Sequence, residues 1–540
     1  MSQVAVRNTT IARLSFFTHD LIANRIDDFD LFDIPGSGFS PKTASLISFS
    51  YNKRLGACSG SISITLKARK ESFDLFGRQG KLWTDLVKIG DWWMIEIYKN
   101  EKNYVLAFGI VDSIGLNVSV GGSGSVESVV SVMGRDFGFG LEDTPVYFNP
   151  YDPTIDNAAG INMIQILKSV TGNPGAVVQA IIRGFMGVSA LPAGVPFPPG
   201  VSWGLVEAPL GIATLPGSPW GSVLNSDSAL LGGTVQDRLR GGTLLTSLIT
   251  PTSGGSVWDL VQSWANLPMN EVFVDVSPLK GLLTPSANLV VREKPFENLI
   301  DTVNSPWFKL TTWDVDARLL SGLNLNQGGN RFNYIQMIGD LKPVLQENSL
   351  GAYLPVVNQR SIRRYGLKRL QESTIYFDGD SILPPYTQLP FSLDYRAWLF
   401  NLLSWNILNH KYWLGSITTP EIRGEIHVGE RIRLTNIGTT KLPYYPLNMT
   451  FYVESVQHSY STGASPRMES SFQVSRGYPD ELRLIDMAAE AIDWSITSVL
   501  PSPSVNSPVS ISVLKSIEQF LVDRNIGLPV IEPPTTVVVK

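Results

Sequence analysis

Two stretches lying 342 residues apart in this 540-residue chain follow the same pattern of strands and turns, and no other feature limits the fold as much. Residues 105–132 (VLAFGIVDSIGLNVSVGGSGSVESVVSV) align without a gap over residues 447–474 (LNMTFYVESVQHSYSTGASPRMESSFQV). Eight of the 28 aligned positions are identical: Val111/Val453, Ser113/Ser455, Ser119/Ser461, Gly121/Gly463, Ser123/Ser465, Glu127/Glu469, Ser128/Ser470 and Val132/Val474. Asp112/Glu454 and Ile114/Val456 are conservative pairs. A turn and a strand precede each copy: Gly90-Asp91 with Trp93, Ile95 and Ile97, and Gly429-Glu430 with Ile432 and Leu434. Further upstream lies a Gly-Ser-Ile start, at Gly60-Ser61-Ile62 and at Gly415-Ser416-Ile417. Coincidence among common Ser, Gly and Val residues is the alternative. Otherwise a repeat of this length implies two related β-modules in one chain.

The chain has room for roughly three or four domains. With 43% apolar and 17% charged residues it can bury cores and is not a disordered chain. Its 47 Gly, 35 Pro and 13 Trp point to a β-rich, loop-rich protein with much surface given to other chains. A net charge of −5 argues against a nucleic-acid-binding surface as the main function. The single cysteine, Cys58, excludes an internal disulfide and a thiolate metal cluster, which fits assembly in a reducing cytoplasm or simple indifference to redox. The first residues, MSQVAVRNTT, lack a secretion pattern. No run of about 18 apolar residues occurs, so no membrane span is expected. The sequons at Asn8, Asn117 and Asn448 carry no weight without a secretion signal.

Residues 1–149 read as mainly strands. Residues 61–66 alternate, with Ile62, Ile64 and Leu66 on one face, and 92–98 and 104–114 are apolar runs of strand length. Between 150 and about 270–280 the texture changes to an insertion. Residues 157–170 have helical spacing, 191–221 are crowded with Pro and Gly, and 257–267 form a short amphipathic helix. Strand texture returns at 271–276, 288–294, 308–313 and 331–338. Residues 391–413 give the strongest helix, with Leu393, Trp398, Leu402, Trp405 and Leu408 at helical intervals. After the second repeat, 481–497 is amphipathic, 500–508 is a Pro/Ser-rich linker, 511–524 is a short helix and 529–540 an extended arm. The fold class expected is mainly β with helical insertions (β+α).

Enzyme signals are scarce. His19, His410, His427 and His458 show no metal-binding spacing. His458 sits in a strand turn and reads as a packed or solvated histidine. No Walker A sequence, GxSxG elbow or GxGxxG after a strand occurs, and Gly121-Gly122-Ser123-Gly124 reads as a hairpin turn. Asp378-Gly379-Asp380 has the carboxylate pair of a cation site, but Asp-Gly between Phe377 and Ile382 also makes a plain turn. Glu142 and Asp143 are candidates only as an acidic pair. Trp83, Trp92, Trp93, Trp307 and Trp313 lie in or beside strands, where core packing explains them as well as a sugar platform does. No catalytic, cofactor-binding or metal-ligating residue is assigned.

The distinctive phrases are not catalytic. They run FGIVDSI at 108–114, Gly134-Arg135-Asp136, Leu141-Glu142-Asp143-Thr144, ANLVVREKPF at 287–296, Trp307 and Trp313, then Arg331-Phe332-Asn333-Tyr334. SIRRYGL at 361–367, HVGERIRL at 427–434, FYVESVQ at 451–457 and Val474-Ser475-Arg476-Gly477 follow. In order and spacing this series resembles the baseplate hub proteins of contractile phage tails and injection systems, the T4 hub and late control protein D group, from about residue 55 to 478. The resemblance implies two tail-tube-like β-barrel modules in one chain, residues 1–149 and residues 271–340 with 414–478. Around them lie a 150–270 insertion, a 341–413 segment with the long helix, and a 479–540 tail of helices and extended arm. It implies a homotrimer whose six barrels join a sixfold tail tube to a threefold central spike. Other partners would be further baseplate proteins and the tape-measure protein or DNA passing through the channel. The location implied is the virion baseplate, assembled in the host cytoplasm. A peptidoglycan-degrading tail component using Asp378 and Asp380, or a carbohydrate-binding β-protein, is the alternative.

Overall fold

The structure is a computed structural model that describes residues 11–20, 25–31, 46–67, 83–99, 102–120, 126–143, 145–146, 178, 243–244, 255–265, 267–276, 287–297, 305–339, 355–374, 376–377, 393–437, 448–461 and 467–496. The expected helix at 157–170, the Pro/Gly-rich stretch at 191–221, Asp378 and Asp380, the glycine turn at 121–124 and everything beyond 496 lie outside these residues.

The described residues are mostly strand, as expected for a mainly β chain. The first seven strands are β1 (Ile11–Asp20), β2 (Arg25–Leu31), β3 (Leu46–Arg54), β4 (Ser61–Lys67), β5 (Trp92–Lys99), β6 (Lys102–Val120) and β7 (Val126–Asp136). Next come β8 (Thr243–Leu244), β9 (Asn270–Val276), β10 (Ala287–Glu293), β11 (Thr312–Asp316) and β12 (Gly322–Gln327). They are followed by β13 (Tyr334–Gly339), β14 (Val356–Asn358), β15 (Arg369–Thr374) and β16 (Tyr376–Phe377). The last are β17 (Trp413–Thr419), β18 (Arg431–Thr435), β19 (Asn448–Ser461), β20 (Arg467–Tyr478) and β21 (Trp494–Ile496).

Among the described residues thirteen strands form one continuous sheet, ordered β12-β17-β20-β19-β3-β4-β7-β6-β5-β1-β2, with β18 beside β19 and β11 beside β18. Two halves of it repeat. β3-β4-β7-β6-β5 and β12-β17-β20-β19-β18 have the same order, the same succession along the chain and antiparallel pairing throughout.

The repeat extends to single hydrogen bonds. Gly90 N donates to Val111 O at 2.9 Å, and Val111 N to Asp91 O at 2.9 Å. In the second module Gly429 N donates to Val453 O at 2.9 Å, and Val453 N to Glu430 O at 3.0 Å. Asp91 accepts from the Lys88 backbone at 2.6 Å, and Glu430 accepts from the His427 backbone at 3.0 Å. Both glycines take positive φ, 92° at Gly90 and 77° at Gly429, a conformation costly for any side chain. The register of β6 on β7 shifts between Val111 and Ser113, leaving Asp112 as a bulge, and that of β19 on β20 shifts between Val453 and Ser455, leaving Glu454.

The gapless alignment holds along the first strand and fails across the hairpin. Val111 faces Gly134 and Ser113 faces Met133, whereas Val453 faces Val474 and Ser455 faces Gln473. The counterpart of Val132 is therefore Phe472, not Val474, and the second hairpin loop is two residues shorter. The upstream match shifts equally: Ile64 pairs with Val132 and Ile417 with Phe472, so Ile64 and Ile417 correspond. A slip of two leaves every side chain on its own face, because the strand repeats every two residues.

Each module closes over its own core. Leu14, Phe16, Phe49, Ile62, Ile64, Trp93, Ile95, Val111 and Val132, from β1 through β7, share one buried cluster. Val315, Ile417, Ile432, Leu434, Phe451, Val453, Phe472 and Val474 share another.

Several expected strands take other places. Among the described residues β9 and β10 pair only with each other, and β13 joins β14, β15 and β21 in a separate four-stranded sheet. Of the strand expected at 308–313 only Thr312 and Trp313 enter one, at the start of β11, because Pro306 starts a helical turn, Pro306–Lys309. The long helix is Leu393–Asn406, shorter than expected, because Trp413 already belongs to β17. Its Trp398, Leu399, Leu402 and Leu403 are buried in a third cluster. That cluster also takes in the capped helix Val257–Trp264 and the helix Asp480–Ala491.

Candidate functional site: the seam between the modules

β19 carries two neighbours on one edge. Its first half pairs with β18, up to Tyr452 opposite Arg431. Past the bulge it turns to the first module and pairs with β3, from Ser455 opposite Arg54 to Ser461 opposite Ser48. The bulge divides one strand edge between two modules, a way in which bulges re-aim pairing.

Aromatic pairs lie directly across this seam. Tyr51 and His458 stack with centroids 6.4 Å apart and planes 9° from parallel, and Phe49 and Tyr460 stack at 5.8 Å. Gln457 Nε2 donates to Ser50 Oγ at 3.2 Å, and Leu55 N donates to Glu454 O at 2.7 Å. The connection from β17 to β18 crosses the seam: Ile422 is fully buried in the first module's core.

A buried polar network stands behind the aromatics. Lys53 Nζ lies 2.9 Å from Asp136 Oδ2, both side chains nearly inaccessible, and Tyr51 Oη donates to the same carboxylate at 2.9 Å. Burial, then the charge of Asp136, raises the Tyr51 pKa well above its ordinary value. His458 Nδ1 lies 2.7 Å from Ser470 Oγ. Burial, aided by the positive charge of His427, lowers its pKa from 6.5 to about 3. His427 goes the other way: burial alone would lower it, but the adjacent Asp275, 3.1 Å from Nδ1, and nearby Glu430 and Glu425 raise it to about 9. The seam thus holds a neutral histidine, a neutral tyrosine and an internal ion pair.

The residues considered for catalysis are dispersed. Glu142 and Asp143 lie 3.5 and 2.8 Å from Arg135 Nη1, whose Nε also holds Asp112 at 2.9 Å. His410 faces Glu490 at 3.6 Å. Among the described residues no group of three His, Cys, Asp or Glu is placed to hold a metal ion. Trp83, Trp93 and Trp307 are buried in cores, and Trp313 donates to Glu430 Oε2 at 2.6 Å. Cys58 is buried, its Sγ 3.1 Å from Gly138 O, and burial raises its thiol pKa. No helix among the described residues is long and apolar enough to cross a membrane. The seam residues Phe49 and Tyr51 were not singled out from the sequence, where their period-two spacing in LISFSYNKR was the available signal.

No family model matches the chain, and no curated protein matches it. Among solved structures it is similar to a tail protein from Neisseria meningitidis MC58, at 11% identity and TM-score 0.40, covering 88% of this chain and 99% of that one. It is similar to the 43 kDa tail protein of prophage MuSo2 from Shewanella oneidensis, at 11% identity and TM-score 0.40, covering 86% and 98%. A component of the E. coli type VI secretion system, itself described as structurally similar to T4 bacteriophage tail proteins, is similar at 6% identity and TM-score 0.33, covering 81% and 74%.

Proposed function

We propose that the chain is the structural hub of a contractile-tail baseplate. Three copies form a ring of six modules that joins a sixfold tail tube on one side to a threefold central spike on the other. The observation that carries this reading is the seam: two modules with the same strand order, turn and bulge, joined edge to edge in one sheet. A threefold assembly of such chains presents six near-equivalent units, and head-to-tail contacts of this kind generate rings when the rotation closes. The resemblance of the sequence phrases to tail hubs supports the same reading.

The ring modules in this reading are β1 with residues 46–136 and, in pieces, 312–327 and 413–478. The net charge of −5 suits a channel passing DNA or a tape-measure protein. Other baseplate proteins complete the partners, and the location is the virion, with assembly in the host cytoplasm. No catalytic step enters this role. Electron microscopy of the purified chain tests it: the expected particle is a ring with six lobes and threefold symmetry. A single-chain particle that releases fragments from peptidoglycan would favour a hydrolase instead.

A further inference from the structure

Each module has the two edges that the seam uses, yet within one chain only one of each is taken. Residues 113–119 of β6 lie past the Asp112 bulge, as residues 455–461 of β19 lie past the Glu454 bulge. On the far side of β6 the ladder of β5 ends at Ile110, and among the described residues no strand pairs with 113–119 there. β12 is the counterpart of β3, since Leu323 faces Ile417 as Phe49 faces Ile64. It pairs with β17 on one side, and among the described residues no strand pairs with its other side.

We propose that β12 of a second copy of this chain adds to β6 of the first, repeating the seam between chains. The proposal deepens the hub reading and rests on it only for the number of chains in the ring. Transferring the seven residue pairs of β3 and β19 onto their counterparts fixes the register. Leu325 then lies opposite Leu116, Asn324 opposite Asn117, Leu323 opposite Val118, and Gly322 opposite Ser119.

Burial supports that register. His458, covered by β3, is 3% exposed, whereas its counterpart Leu116 is 49% exposed. Val118, the counterpart of the seam residue Tyr460, is 60% exposed, and Leu323, the counterpart of Phe49, is 45% exposed. Three of the four side chains that stack across the internal seam are thus replaced on the open edges by exposed apolar ones, Leu116, Val118 and Leu323, and the fourth by Leu325, half-buried against the second module's core. The register sets them against one another as cross-strand pairs.

Edge chemistry agrees. An exposed strand edge invites pairing unless charge or proline guards it. β2, at the opposite end of the sheet from β12, carries Asp27, Asp28 and Asp30, whereas β12 (GLNLNQ) and residues 113–119 of β6 (SIGLNVS) contain neither charge nor proline. Strand addition of this kind draws affinity from main-chain bonds and specificity from alternate side chains.

Cysteine trapping in the full-length chain tests the register, with buried Cys58 as the only native thiol. Leu116→Cys/Leu325→Cys and Asn117→Cys/Asn324→Cys place thiols on adjacent opposed pairs, whose two Cα spacings both suit a disulfide. Each double variant is expected to give covalent multimers on oxidation, with the trimer the largest closed product. Each single variant, and the slipped control Leu116→Cys/Leu323→Cys, is expected to stay one chain on a denaturing gel. Leu116→Lys/Val118→Lys is expected to abolish assembly while far-UV circular dichroism stays that of the folded chain and the melting transition loses its dependence on protein concentration. A protein of trimer native mass that does not cross-link in this register, or that assembles normally with both lysines, overturns the strand pairing and leaves the hub reading standing. A chain that stays single in native mass overturns both.

Discussion

Tyr51 of the first module lies ring over ring on His458 of the second, 6.4 Å between centroids and 9° from parallel, although 407 positions separate them in sequence. The stack is the centre of a strand pair that turns two modules into one sheet. Its neutral, buried imidazole makes the seam sensitive to acid.

His458 has a folded pKa of about 3 against an ordinary value of 6.5. The unfolded chain therefore binds the proton more readily between those values. The stabilisation is present above pH 6.5 and is lost as pH falls toward 3, on the order of 3 kcal/mol by pH 4. Melting temperatures measured from pH 7 to 4 are expected to fall less steeply in His458→Phe than in the parent chain. Parallel slopes would remove His458 from the acid response.

His427 acts at the other end of the range. Its folded pKa is raised to about 9, so its ion pair with Asp275 stabilises fully below pH 6.5 and is lost as pH rises through 9. His427→Gln is expected to flatten the decline in chemical stability between pH 7 and 9.5. An unchanged alkaline slope contradicts the pairing.

The two turn glycines should differ in cost despite equivalent roles. A Cβ on Gly90 meets nothing within 4 Å, so Gly90→Ala pays only for its φ of 92°, about 1–2 kcal/mol. A Cβ on Gly429 would meet Arg292 Nη2 below any normal contact distance and Phe273 Cζ at 3.1 Å. Gly429→Ala is therefore expected to cost more than Gly90→Ala in urea unfolding, and the reverse order contradicts the packing described.

Lys53→Met removes the cation from a buried pair and leaves Asp136 with the Tyr51 hydroxyl and the Gly138 amide. Stranding a buried carboxylate in this way costs roughly 3–5 kcal/mol. Denaturant melts of Lys53→Met and of the double variant Lys53→Met/Asp136→Asn separate the effects: the double variant is expected to recover part of the loss. A single variant within about 0.5 kcal/mol of the parent chain would show that the pair is not buried in solution.

The duplication was legible because turn glycines, bulge residues and alternating apolar positions leave marks in sequence. Gly90/Gly429, Asp112/Glu454 and Val111/Val453 are true counterparts in the structure. The hairpin slip was not legible, since a shift of two keeps Val132 and Val474 on matching faces. β12 escaped notice because GLNLNQ has the composition of a loop, and only pairing with β17 makes it a strand. Proline at Pro306 outweighed the β-branched and aromatic run that follows it. The seam itself joins residues too distant in sequence for any local pattern to connect. No residue of the site was assigned in advance, and the candidate carboxylates of the first module proved to be partners of Arg135.

Native mass spectrometry of the intact chain tests the ring most directly. The expected result is a species of three chains that persists on dilution and gives way to single chains in Leu116→Lys/Val118→Lys. A parent chain that stays single at every concentration at which it is folded would contradict it.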